Sequence, residues 1–225
     1  MGKLRERIRR ELSPLSISIW PSINNSAWQF TEIAEAVLGP ILQVLVSPLQ
    51  IRRKLAAEAV ASIKGRFLVT ELGNLPSEAI KNLYTYADMA DIARFGDDFQ
   101  KIRLYQWLKA SAAAGRPVKG RGRVFDSDAE IDAYCRTYLD LFRSMERHGY
   151  RYSGDDDICI GIAADGEIVH VRRGTHRVAA AQILELPSVS AKITHIDHSW
   201  AKRFDEGGKS RARDVLVTAI KAATS

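Results

Sequence analysis

Four consecutive residues, Gly174-Thr175-His176-Arg177, carry the most specific chemistry in this chain. They follow a hairpin pattern and open an alanine-rich segment, which places them at the start of a helix. A helix start exposes backbone N–H groups and the positive end of the helix dipole. Phosphate groups bind there readily. Gly174 permits a close backbone approach or a positive φ. Thr175 can cap the helix or donate its hydroxyl. His176 and Arg177 put positive charge in a first turn, where it does not favour the helix itself, so a bound anion would compensate it. Arg172 and Arg173 add to the field, and a guanidinium grips phosphate with two prongs. The expected site is therefore a nucleotide-phosphate site made by Arg173, Gly174, Thr175, His176 and Arg177. The competing reading is structural, with His176 and Arg177 paired to carboxylates among Asp155, Asp156 and Asp157.

That acidic run precedes a strand. Asp156 and Asp157, with His176, are the catalytic candidates, because carboxylates beside a nucleotide can hold Mg²⁺ or act as a general base. A solvated turn is the plainer reading of the run. His195 and His198 flank Asp197 ahead of Trp200. This cluster could touch a base or sugar, or could be an ordinary loop. No set of residues has the spacing of a protein-held metal site, so no metal ligands are assigned. Residues 116–123 bring Arg116, Lys119, Arg121 and Arg123 together with two glycines. They read as a phosphate clamp or as a solvated linker. His170 is expected at the surface of its strand.

The elements that position the turn follow from periodicity. Ile158, Ile160 and Ile162 alternate with Cys159, Gly161 and Ala163, as in a strand. Asp165-Gly166 is a hairpin signal, and residues 168–172 return as the second strand. A helix is expected over 175–184 and a third strand over 189–196. Ser127 with Glu130 forms a capping-box signature for a helix over 127–148. Its stripe is Ile131, Tyr134, Tyr138, Leu141, Phe142 and Met145. Earlier helices are expected over 3–12, 31–38, 52–64, 76–95 and 97–114, the last capped by Asp97 or Asp98, with a short strand over 67–72. A final helix is expected over 209–223.

The segment DGEIVHVRRGTHRVAAAQILELPSV, residues 165–189, resembles the ParB/sulfiredoxin-like superfamily. Members place a Gly-x-His-Arg or Gly-Glu-Arg-Arg turn between a hairpin and an alanine-rich helix. They include sulfinic acid reductases, a free-serine kinase and CTP-dependent DNA-partitioning proteins. The resemblance spans about residues 127–196. It implies that Gly174, Thr175, His176 and Arg177 bind the phosphates of ATP, ADP or CTP, with Mg²⁺ as an accompanying ion. Thr175 stands where sulfiredoxins carry their catalytic cysteine, which argues against sulfinic acid reduction. Arg173 stands where kinase-like members often have Asp. No helix-turn-helix pattern follows.

The 225 residues are 46% hydrophobic and 27% charged, an ordinary globular mixture. The net charge of +6 favours polyanionic partners: nucleotide, nucleic acid or an anionic membrane surface. Cys135 and Cys159 lack CxxC spacing and fit a cytoplasmic protein, the alternative being one disulfide in an exported one. The apolar stretch 36–49 is shorter than the roughly 20 residues of a membrane span, which disfavours a membrane location. The expected fold class is α+β: a mostly helical region, 1–114, followed by a small mixed-sheet ParB/sulfiredoxin-like domain, 115–225. The expected function is a nucleotide-dependent phosphotransferase or nucleotide hydrolase acting on a small-molecule substrate. The alternative is a nucleotide-gated module that binds DNA or another polyanion without catalysis.

Overall fold

The computed structural model describes residues 30–120, 122–151, 157–205 and 211–224. The expected helix over 3–12, Arg121 and the carboxylates Asp155 and Asp156 lie outside them. The described residues fold as a mixed α/β structure with eight α-helices around a seven-stranded mixed sheet.

Three strands form the middle of the sheet: β7 (Ile158–Ile162), β8 (Ile168–Arg172) and β9 (Val189–Asp197). β7 is antiparallel to β8 and parallel to β9, which lies on its other side. Every residue of β7 is buried, with Ile158, Ile160 and Ile162 on one face and Cys159 and Gly161 on the other, as a central strand covered on both faces requires. The Asp165-Gly166 turn joins β7 to β8, with Glu167 N–H bonded to Asp165 Oδ1 at 2.9 Å.

The outer strands come from the N-terminal half. β1 (Gln43–Val46) pairs antiparallel with β9, and β3 (Leu68–Val69) pairs parallel with its far end. β2 (Arg53–Leu55) lies parallel to β8, and β4 (Ser77–Ala79) closes that edge against β2. Two expectations are corrected here. Helix outweighs strand in the described residues 30–114, but they are not separate from the rest, since residues 43–79 supply four strands of the shared sheet. The helices expected over 52–64 and 76–95 are shorter, because their first residues become β2 and β4. Their helical parts are α2 (Ala57–Ser62) and α3 (Tyr84–Phe95). The edge of β8 would otherwise expose unpaired N–H and C=O groups, and that tertiary demand overrides local helix preference.

The two faces of the sheet pack differently. Val169 and Val171 join Leu55, Ala59, Ile63 and Leu72 in a small core under α2. Ile168, Ile158, Ile160 and Ile162 face the larger core, which also holds residues of α3, α4 (Arg103–Ala113), α5 (Asp128–His148) and α6 (Thr175–Ile183). α5 starts at a Ser127 cap that accepts from Glu130 N–H, as expected. α4 begins later than its pattern predicts. Asp97 does not cap it but pairs with Arg143. Residues 116–123 are not a plain loop either. They enter a hairpin of β5 (Val118–Gly120) and β6 (Arg123–Phe125), anchored by buried Phe125. α1 (Thr31–Leu38), α7 (His198–Lys202) and α8 (Ala212–Thr224) cover the β1 end of the sheet. Among the described residues no helix is long and apolar enough to cross a membrane.

Candidate functional site

The turn from β8 into α6 uses two left-handed residues in succession, Arg173 at φ 58° and Gly174 at φ 67°. The second could carry no side chain. A Cβ on Gly174 would sit 2.7 Å from Ile158 Cγ1 and 3.2 Å from Ile158 Cα. A non-glycine residue at positive φ costs roughly 1–2 kcal/mol, so Arg173 needs external support. His170 supplies it: its Nε2 lies 2.5 Å from the Arg173 carbonyl oxygen. The carbonyl can only accept, so the His170 proton resides on Nε2.

His170 is fully buried, which corrects the expectation of a surface residue. β2 covers the edge of β8, and alternation turns position 170 towards the helices. Burial, and then the charge of Lys54, lower its pKa to about 4, against the opposing effect of its hydrogen bond to Arg173. His170 is therefore a neutral brace beneath the turn near neutral pH.

The first backbone bond of α6 runs from Val178 N–H to Gly174 O, at 2.9 Å. The N–H groups of Thr175, His176 and Arg177 thus precede the helical ladder, in the geometry that receives an anion. The His176 ring lies against Tyr138 with centroids 4.3 Å apart. Tyr138 meets Tyr134 edge-on at 5.0 Å, and Tyr134 packs on Phe125 at 4.5 Å. The i, i+4 spacing on α5 builds this aromatic wall.

Turn and wall open onto one cavity of about 1000 Å³. Its other sides come from α3, α4 and the β5–β6 hairpin. Lys54, Arg103, Lys119, Arg173 and Arg177 line it, and Asp88 is the one acidic lining residue among those described. Tyr84 and Trp107 stand at its border, 76% and 54% exposed. The size is at the upper end for small-molecule sites.

The expected residues separate into two groups. Arg173, Gly174, Thr175, His176 and Arg177 all line the cavity. Asp157 does not. It is buried before β7, where it accepts a hydrogen bond from Gln43 Nε2 at 2.7 Å and another from the Tyr150 hydroxyl. Burial and the Asp157 contact push the Tyr150 hydroxyl pKa up, while the Arg177 charge pulls it down. Arg177 is therefore electrostatically close to the buried Asp157 and its half-buried partner Tyr150. His195 is also buried, with Nδ1 2.8 Å from Thr194 Oγ1, and burial lowers its pKa to about 4. Asp197 caps α7 and accepts from Leu72 N–H at 2.8 Å. Neither lies in the cavity. Cys135 and Cys159 are free and buried.

Two site residues escaped the sequence reading. Thr85 and Asp88, on α3, are 4% and 7% exposed and both line the cavity. Burial is the main cause that raises the Asp88 pKa to about 6. Arg103 opposes this and Asp91 adds to it. Arg103 is itself anchored, with Nε 2.8 Å from Asp91 Oδ2. The signal was present: Thr85, Asp88, Met89 and Ile92 share the i, i+3, i+4, i+7 spacing of a buried face, and two of the four are polar.

Comparison with family models, curated proteins and solved structures finds no match for this chain.

Proposed function

We propose that the cavity binds a nucleotide, with its phosphates at the start of α6 on Gly174, Thr175, His176, Arg177 and Arg173. One observation carries this reading: the α6 N-terminus opens, through two left-handed residues, into a cavity lined by five Lys and Arg side chains and an aromatic wall. The likeness of residues 165–189 to ParB/sulfiredoxin-like proteins supports the same ligand, with ATP, ADP and CTP as the candidates. The activity we propose is nucleotide-dependent phosphoryl transfer or nucleotide hydrolysis. Among the described residues no cluster of three or more His, Cys, Asp or Glu side chains could hold a metal by itself. Mg²⁺ would enter on the nucleotide phosphates and supply charge neutralisation there.

Calorimetry with ATP, ADP and CTP, with and without Mg²⁺, tests the binding. The expected outcome is saturable binding to wild type, weakened at least tenfold by Arg177→Ala, and release of phosphate or nucleoside diphosphate on incubation. Absence of binding to the wild type sinks the proposal. Binding without turnover leaves the second reading, a nucleotide-gated polyanion module. The β5–β6 hairpin favours it, because Lys119 and Arg123 are exposed there. Such a module would bind DNA with a steep salt dependence, lessened by neutralising Lys119 and Arg123.

A further inference from the structure

We infer that Thr85 and Asp88 form a diol subsite within the same cavity, which takes the ribose hydroxyls of the nucleotide. The inference rests on the phosphate reading of the α6 turn. The two side chains lie one turn apart on α3, and α3 packs directly along α6. Both are more than nine-tenths buried and both line the cavity. The Thr85 hydroxyl has no hydrogen-bond partner among the described residues. No hydrogen bond to the Asp88 carboxylate is seen among the described residues, and the neighbouring Arg103 is bonded through Nε and its backbone N–H to Asp91.

Buried polar groups are nearly always satisfied, and one left unpaired is destabilising. One unpartnered hydroxyl and one carboxylate that receives no hydrogen bond, on one helix face at a cavity wall, fit a ligand that satisfies both. Their chemistry selects it. An ionised carboxylate only accepts, so the ligand must donate to Asp88, while the Thr85 hydroxyl can accept from the ligand or donate to it. A vicinal diol offers two O–H donors at the spacing of one carboxylate. The exposed rings of Tyr84 and Trp107 border the same space and offer faces for a base to stack on. Anion turn, polar pair and aromatic border thus match phosphate, sugar and base. The raised pKa of Asp88 agrees with a carboxylate that lacks a donor.

The test is a titration calorimetry panel on the full chain. The ligands are inorganic tripolyphosphate, the tighter-binding of ADP and CDP, and the 2′,3′-dideoxy form of that nucleotide. The proteins are wild type, Thr85→Val, Asp88→Leu and Arg177→Ala, each checked by thermal melting. Both α3 variants should lose at least tenfold affinity for the ribonucleotide while holding tripolyphosphate within twofold of wild type. The dideoxynucleotide should bind wild type and Asp88→Leu alike. Arg177→Ala should weaken all three ligands. Unchanged ribonucleotide affinity in folded Thr85→Val and Asp88→Leu overturns the subsite. So does an equal loss for ribonucleotide and dideoxynucleotide, or for tripolyphosphate. Tripolyphosphate binding with no nucleotide binding overturns the subsite but keeps the phosphate turn. If wild type binds none of the ligands, the phosphate reading fails and the subsite fails with it.

Discussion

Gly174 and Asp88 are the residues at which the site conflicts most with stability. At Gly174 a methyl group meets both strain at φ 67° and the Ile158 side chain at 2.7 Å. Gly174→Ala should destabilise the protein by roughly 2–4 kcal/mol, from the left-handed penalty plus overpacking. A urea denaturation midpoint equal to that of wild type would contradict the turn geometry. Asp88 concerns pH. Folding raises its pKa from 3.8 to about 6, so the folded state holds the proton more tightly than the unfolded state. Its contribution favours folding below pH 3.8 and is lost as the pH rises through 6. Asp88→Asn should therefore melt higher than wild type at pH 7 to 8, and the gain should vanish near pH 4. Arg103, Asp91 and the Cys135 thiol face the same group and are unchanged by the substitution. A gain independent of pH would show that Asp88 does not titrate in this window.

At the level of elements, α6 decides how close the site can be drawn together. Ala179, Ala180 and Ala181 are all fully buried, and small side chains let α6 lie tightly among β7, α3 and α5. This brings Thr85 and Asp88 to the same cavity as the Gly174 turn. Ala180→Leu adds three carbons at a fully buried position and should cost about 1–3 kcal/mol. It should also weaken ligand binding by displacing α3. Differential scanning calorimetry checks the first effect and titration the second; a variant as stable as wild type would mean that the helices are loosely apposed.

The molecule as a whole is held together across the halves that its composition pattern separates. Gln182 Nε2 donates to Pro48 O at 2.8 Å and Ile51 O at 2.9 Å. Arg53 pairs with Glu167 at 2.7 Å, and Asp157 and Asp197 take donors from Gln43 and Leu72. A fragment of residues 115–225 would lose β1 to β4, exposing both sheet edges and stranding these buried polar groups. It should show no cooperative thermal transition by circular dichroism, whereas the full chain should. A fragment that folds cooperatively would restore the expected two-part division.

Much of the central unit was legible from local pattern. The β7–β8 hairpin, the α6 start, β9 and α5 have strong periodicity, a turn dipeptide or a cap, and these are short-range signals. The residues of the Gly174–Arg177 turn all reach the cavity, because one turn joins one strand to one helix and needs no distant partner. Tertiary structure alone decided the rest. β2 is a strand because the β8 edge must be paired, and β4 because the β2 edge must be in turn. His170 is a buried brace only because β2 covers it. Asp157 is drawn to Gln43 and Tyr150, and Asp88 reaches the cavity instead, because α3 packs on α6. The turn's chemistry could be read from its own residues. The cavity it opens into is made by residues up to 120 positions away, and only chain packing brings those to it.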